Sequence, residues 1–259
     1  MNPAPMNNVP LLTPAILTGR DDNFIDHASL ERPVHRDIVA PFLALRAAAA
    51  EAGFDLAVAS GYRNYHRQLQ IWNAKAGGER PVYGSDGGEL NIAELNELEL
   101  ALAILRWSAL PGASRHHWGT DIDIYDRAAV AADYVVQLNQ AEVADDGPFG
   151  PLHRWLDERI ATDNAFGFFR PYQNDHGGIA AERWHLSYAP LAARYQCSMN
   201  ASTLWCAIDA PSLALRTTIA ENWAMIFERF IWVAAQCYPV QWQERLLAVS
   251  NGMRAEGRV

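Results

Sequence analysis

The chain has 259 residues, half of them hydrophobic, and a formal charge of −9. So much apolar material suits one sizeable globular domain with a small appendage, and the acidic balance argues against nucleic acid or an anionic membrane as partner. Cys197, Cys206 and Cys237 are odd in number and form no C-x-x-C pair, which reads as free thiols in a reducing compartment and not as a disulfide framework or a cysteine zinc site.

Residues 1–30 are rich in Pro and Asn and read as an extended arm. Their apolar run is broken by Pro10 and Pro14 and lacks an early Lys or Arg, a poor secretory signal. Over residues 37–52, Ile38, Phe42, Leu45 and Ala49 recur at helical spacing; Pro41 falls in the first turn or at a bend, and Gly53 is a natural stop. In "FDLAVAS", Phe54, Leu56 and Val58 alternate as a strand does. A second helix is expected over 64–76, closed by Gly77-Gly78, then a glycine-rich loop over 81–89. A third helix over 92–107 carries Leu95, Leu98, Leu102 and Leu105 on one face.

In "TDIDIYD" the period of a strand sends Ile122 and Ile124 to one side and Asp121 and Asp123 to the other, so the isoleucines can anchor it while both carboxylates face a cleft. "PLHRWLDERIA" reads as a helix, "FGFFRPY" as a strand, and "GGIAAERWHLSY" as a loop followed by a strand. From Pro190 onward the chain reads as helical. Ile219, Trp223, Ile226, Phe227 and Phe230 make an apolar face for docking on the main body or for a homodimer interface. Residues 213–235 also carry Arg216, Glu221, Glu228 and Arg229, too many charges for a bilayer span. A soluble cytoplasmic protein is expected. The irregular order of elements favours an α+β fold over repeating βαβ units.

The chemistry gathers in two places. His116 and Asp123 are seven residues apart, and a turn at Gly119 can fold the imidazole back over the strand face bearing the carboxylate. Glu182 and His185, in "ERWH", would oppose each other on an ideal strand, so a bulge or loop at Arg183-Trp184 is needed for both to reach one site. Two imidazoles and a carboxylate suit a catalytic zinc with one position open, although other divalent ions could occupy the same ligands.

"SRHHWGTDID" resembles the S-x-H-x-x-G-x-A-x-D motif of the VanY-type D-alanyl-D-alanine carboxypeptidases, the M15 or LAS metallopeptidases. "ERWH" is similar to that family's E-x-W-H, and "SGYRNYHRQ" to its S-G-Y-R-S-x-x-x-Q. All three occur in family order, within about residues 37–188. The resemblance implies a small antiparallel sheet flanked by helices, the LAS or hedgehog-like DD-peptidase fold. The expected organisation is an arm over 1–30, a zinc carboxypeptidase domain over 31–190 and a helical extension over 191–259 packed on it.

It also implies His116, Asp123 and His185 as zinc ligands and Glu182 as general base. Arg63, Gln68 and Ser114 are implied as substrate contacts. A guanidinium suits a free C-terminal carboxylate because it offers two parallel N–H donors. Asp121 stands where the motif has Ala; sharing a face with Asp123, it could compete for the metal, orient His116 or bind substrate. His117 should point elsewhere, toward the cleft rim. His35, His66, His153 and His176 read as structural, Trp184 as packing under the site, and Asp126 as the cap of a helix starting at Arg127.

The expected activity is release of a C-terminal D-Ala from peptidoglycan stem peptides. A cytoplasmic L,D-carboxypeptidase acting on recycled tetrapeptide is slightly favoured over a D,D-carboxypeptidase acting on pentapeptide. An endolysin-like endopeptidase and a non-catalytic zinc-stabilised module rank lower; a retained Glu182 argues against the module, because a structural zinc needs no base. No H-E-x-x-H, G-x-x-x-x-G-K-[ST] or G-x-S-x-G motif occurs.

Overall fold

Alternation along four short strands organises the molecule. In the computed structural model, which describes residues 12–255, β1 (Leu56–Ser60), β2 (Asp121–Asp126), β3 (Phe168–Phe169) and β4 (His185–Tyr188) form an antiparallel sheet in the order β1-β2-β4-β3. Leu56, Val58, Ile122, Ile124 and Leu186 face one apolar core, which they share with Phe42, Leu45 and Ala49 of helix α1 (Val39–Glu51). The same core takes Leu152 and Leu156 of a later helix, Gly150–Ala161. Because side chains alternate, Asp121, Asp123, His185 and Ser187 all fall on the opposite face. The register sets Asp123 directly across from His185 and Asp121 across from Ser187.

Local signals account for the helix ends. Helix α2 (Tyr65–Ala76) begins where the Asn64 side chain accepts from Arg67 N at 2.8 Å. The helix expected from residue 92 instead breaks into a single 3-10 turn, Ile92–Glu94, and α3 (Glu97–Trp107). Asn96 makes a reciprocal capping box with Glu99, and that fixes the new start. Asp126 caps only a 3-10 turn, Arg127–Ala129, and also accepts from Asp55 N at 2.9 Å, tying the start of β1 to the end of β2.

The second core lies beyond the polar face of the sheet. It joins Tyr65 and Trp72 of α2 and Ile104 and Leu105 of α3 to Ile219, Ile226, Phe227 and Phe230 of the C-terminal region. The C-terminal aromatic stripe is thus packed inside its own chain. Polar ties fix the same contact: Trp72 Nε1 donates to Ala214 O at 3.0 Å, and Asn73 Nδ2 donates to Ser212 O at 2.8 Å. Of the arm expected over 1–30, residues 1–11 lie outside the described residues. The remainder holds one helical turn, Pro14–Leu17, and a two-residue strand, Ile25–Asp26, paired with Val34–His35. Among the described residues no helix is long and apolar enough to cross a membrane.

Candidate metal centre and cleft

Gly119 is the hinge that brings the first imidazole to the sheet. It ends a 3-10 turn, Arg115–Trp118, with φ of 66°. A Cβ there would meet His35 N at 2.6 Å, so both conformation and space call for glycine. The turn folds His116 back over β2, leaving its Nε2 3.5 Å from Asp123 Oδ2. His185 reaches the same carboxylate from β4, with Nδ1 3.3 Å from Asp123 Oδ1. The strand β4 starts only at His185; a turn closed by His185 N donating to Glu182 O at 3.1 Å replaces the strand before it. This is the irregularity at Arg183-Trp184 that the spacing required, and it brings Glu182 Oε2 to 3.3 Å from His185 Nδ1.

The outer partners fix which nitrogen of each ring is free. His116 Nδ1 lies 2.9 Å from Gly61 O. A carbonyl only accepts, so the proton sits on Nδ1 and the Nε2 lone pair faces Asp123. His185 Nε2 donates to Asp121 Oδ1 at 2.9 Å, which turns the Nδ1 lone pair toward Asp123 and His116. His185 Nδ1 is buried and has no hydrogen-bond partner among the described residues. One donor atom from each of His116, Asp123 and His185 lies within 4.8 Å of the others. Ligands at tetrahedral angles around a zinc ion are separated by roughly 3.3 Å, close to the two carboxylate–imidazole distances above. The donor set therefore fits a divalent cation.

The electrostatics also call for a positive charge at this point. Burial opposes a proton on His185, but the hydrogen bond to Asp121 and the negative charge of the nearby Asp123 and Glu182 carboxylates raise its pKa well above the ordinary value. Burial holds His116 down at about 4, so it stays neutral. Burial raises Glu182, against the pull of His185. Asp123 is lowered: His116, His185 and Arg63 outweigh the burial that opposes its charge.

The centre opens into a cleft of about 560 Å³ whose walls include Arg63, Lys75, Ser114, Tyr172, Glu182 and Trp184. The guanidinium of Arg63 donates to Gln68 Oε1 at 2.9 Å and Ser60 Oγ at 3.2 Å. Ser114 is buried at the cleft wall, and its hydroxyl makes no hydrogen bond among the described residues.

Three expectations need correction. Gln68 is fully buried and absent from the cleft wall. Its amide accepts from Arg63 and donates to Ala109 O at 2.6 Å, so it orients Arg63 from behind the cleft wall and does not line the cleft. Asp121 is also fully buried, beneath the centre. Its oxygens accept from His185, Arg115, Thr120 and Ser187, which leaves it no capacity for substrate; it orients His185, and not His116. His117 does not reach the cleft rim. Its Nδ1 donates to Arg63 O at 2.5 Å and its Nε2 accepts from Gly112 N at 2.9 Å, so it clamps the backbone that presents Arg63.

Sequence reasoning missed Lys75 and Arg115. Lys75 lies on the cleft wall, half-buried, and its ammonium makes no hydrogen bond or ion pair among the described residues. Its pKa is lowered to about 8 by burial and by Arg80 and Arg63. The helical pattern places Lys75 near the end of α2 but does not reveal which way it points. Arg115 occupies an unspecified position of the motif, and apart from Asp121 its partners Ser187, Gln196 and Tyr238 lie far away in the chain.

A family model described as D-alanyl-D-alanine carboxypeptidase, VanY, matches residues 31–191. An uncharacterized protein of Haemophilus influenzae is 39% identical over 103 residues, 38% of this chain and 70% of that protein. A D-alanyl-D-alanine carboxypeptidase of Enterococcus faecalis is 28% identical over 139 residues, 52% of this chain but only 41% of that protein. Among solved structures, a mutant of the vancomycin resistance D,D-pentapeptidase VanY in complex with Zn(II) is 24% identical, with a TM-score of 0.43 over 69% of this chain and 86% of that one. The LdcB LD-carboxypeptidase is 20% identical, with a TM-score of 0.44 over 80% of this chain and 78% of that one.

Proposed function

The chain belongs to the VanY family of D-alanyl-D-alanine carboxypeptidases, and from that membership we propose that it is a zinc-dependent carboxypeptidase releasing the C-terminal D-Ala of peptidoglycan stem peptides. The observation that carries the proposal is the buried, unpartnered Nδ1 of His185, aimed with His116 Nε2 at the Asp123 carboxylate while Glu182 stands across from it.

His116, Asp123 and His185 would hold the ion. When bound, zinc supplies Lewis acidity for the scissile carbonyl and for the attacking water. Glu182 takes a proton from that water and delivers it to the leaving amine as the peptide C–N bond breaks. Its burial keeps it basic enough for the task. Arg63 receives the terminal carboxylate, already aimed by Ser60 and Gln68. Lys75 adds a second positive group to the same cleft, and its ammonium gains a partner only when an anion enters. Ser114 offers a free hydroxyl to the substrate backbone.

The finer reading is an L,D-carboxypeptidase acting in the cytoplasm on recycled tetrapeptide. It follows from the expected cytoplasmic location and not from any residue of the cleft. Incubating the full chain with tetrapeptide and pentapeptide muropeptides and weighing the products tests both levels. Loss of one alanine from tetrapeptide is the expected result. Loss from pentapeptide alone would make the bond D,D, internal cuts would make the protein an endopeptidase, and no cleavage of either with zinc bound would overturn the proposal.

A further inference from the structure

The polar layer beneath the centre extends into a part of the chain that the family match does not cover. Asp121 Oδ1 accepts from Arg115 Nε at 2.7 Å as well as from His185; Asp121 Oδ2 accepts from Thr120 Oγ1 at 2.7 Å and Ser187 Oγ at 3.1 Å. The Arg115 guanidinium reaches outward from there. Its Nη2 donates to Ser187 Oγ at 2.7 Å, and its Nη1 donates to Gln196 Oε1 at 3.1 Å and Tyr238 Oη at 2.9 Å. Tyr238 donates in turn to Gln196 Oε1 at 2.9 Å, and Gln196 Nε2 donates to Val233 O at 2.6 Å. Asp121, Arg115, Ser187, Gln196 and Tyr238 are all buried. Gln196 and Tyr238 both lie beyond residue 191, where the family match ends.

We infer that Tyr238 and Gln196 are positioning residues of the metal centre, acting on His185 through Arg115 and Asp121. The directions of the bonds are consistent along the whole chain of contacts. Tyr238 and Gln196 hold the plane of Arg115; Arg115 fixes Asp121 and secures its charge; Asp121 accepts the Nε2–H of His185 and holds the opposite nitrogen toward the ion. A carboxylate behind a ligating imidazole sets its orientation and raises its basicity. Without the C-terminal contacts, Arg115 would keep Asp121 and Ser187 but lose both acceptors on Nη1, leaving a buried donor unpaired at a cost that favours its movement. The C-terminal region is therefore more than a cover on the helical core. It completes the polar layer on which the ligand geometry depends.

This inference rests on the metal-site reading above, and the experiment separates the two. Zinc affinity is measured by chelator competition for the full chain, Tyr238→Phe, Gln196→Met, Asp121→Asn and the double variant Tyr238→Phe/Asp121→Asn, beside the thermal midpoint of each metal-free protein. Tyr238→Phe is expected to weaken zinc about three- to tenfold, less than the roughly 10- to 100-fold typical of a group touching the ligand itself. It should have little further effect once Asp121 is already Asn, because the route is then broken. Gln196→Met should behave like Tyr238→Phe. Equal zinc affinity in wild type and Tyr238→Phe would overturn the inference, as would the same loss in both backgrounds. A wild-type chain that binds no zinc would instead overturn the metal-site reading, and this inference with it.

Discussion

The two nitrogens of the His185 ring face opposite kinds of chemistry. Behind Nε2, Asp121, Thr120, Ser187 and Arg115 satisfy one another. In front of Nδ1, an imidazole and two carboxylates converge, yet the nitrogen itself has no hydrogen-bond partner among the described residues. A buried group is left unpartnered at an energetic cost. The contrast therefore separates a region built to stay fixed from one built to receive something. Asp121 and Asp123 illustrate it on a single strand: they share a face, but the first is closed in by donors and the second opens on the cleft.

The comparison can be broken first at its front side. His116→Ala should abolish zinc retention and turnover together, as read by metal content after dialysis and by the muropeptide assay; normal zinc content would reject His116 as a ligand. Glu182→Gln should keep zinc but lose about 10²- to 10⁴-fold in kcat, and a fully active variant would remove Glu182 as the base. On the back side, Asp121→Asn should weaken zinc about 10- to 100-fold. Chelator titration would detect it, and unchanged affinity would mean that the buried layer does not control the ligand. At the cleft wall, Lys75→Met should raise KM about three- to tenfold with a smaller change in kcat, the pattern of a lost binding contact.

The smallest expected effect is on stability. Burial lowers His35 to about 4 and His153 to about 2, in the second case with help from Arg170. Both are neutral in the fold, so below pH 6.5 the unfolded chain binds more protons and stability falls as pH falls. The raised His185 acts in the opposite sense, but its contribution is complete below its unfolded pKa. Between pH 6.5 and 5, a shift of the urea midpoint worth about 1.5 kcal/mol per buried histidine is expected; a flat profile would contradict it.

Much of the front side was legible in the sequence, because a turn glycine and strand alternation place His116 and Asp123 by local rules. The position of Glu182 needed only the breakdown of a strand before His185. The back side was not legible. Asp121 can be placed on the same face as Asp123, but its environment depends on Arg115, whose partner Tyr238 lies 123 residues further along. Gln68 misled for a related reason: a polar residue one turn beyond Arg63 is equally able to face substrate or to face Arg63, and only the packing of α2 against residues 108–109 decides. The single helix expected over residues 92–107 failed locally, because Asn96 caps more favourably than it continues a helix.

The most direct measurement is the anomalous diffraction of crystals of the full chain grown with zinc. One peak about 2.0–2.2 Å from His116 Nε2, a carboxylate oxygen of Asp123 and His185 Nδ1 is predicted, with Glu182 outside bonding distance. A peak elsewhere, or none in this cleft, would contradict the account.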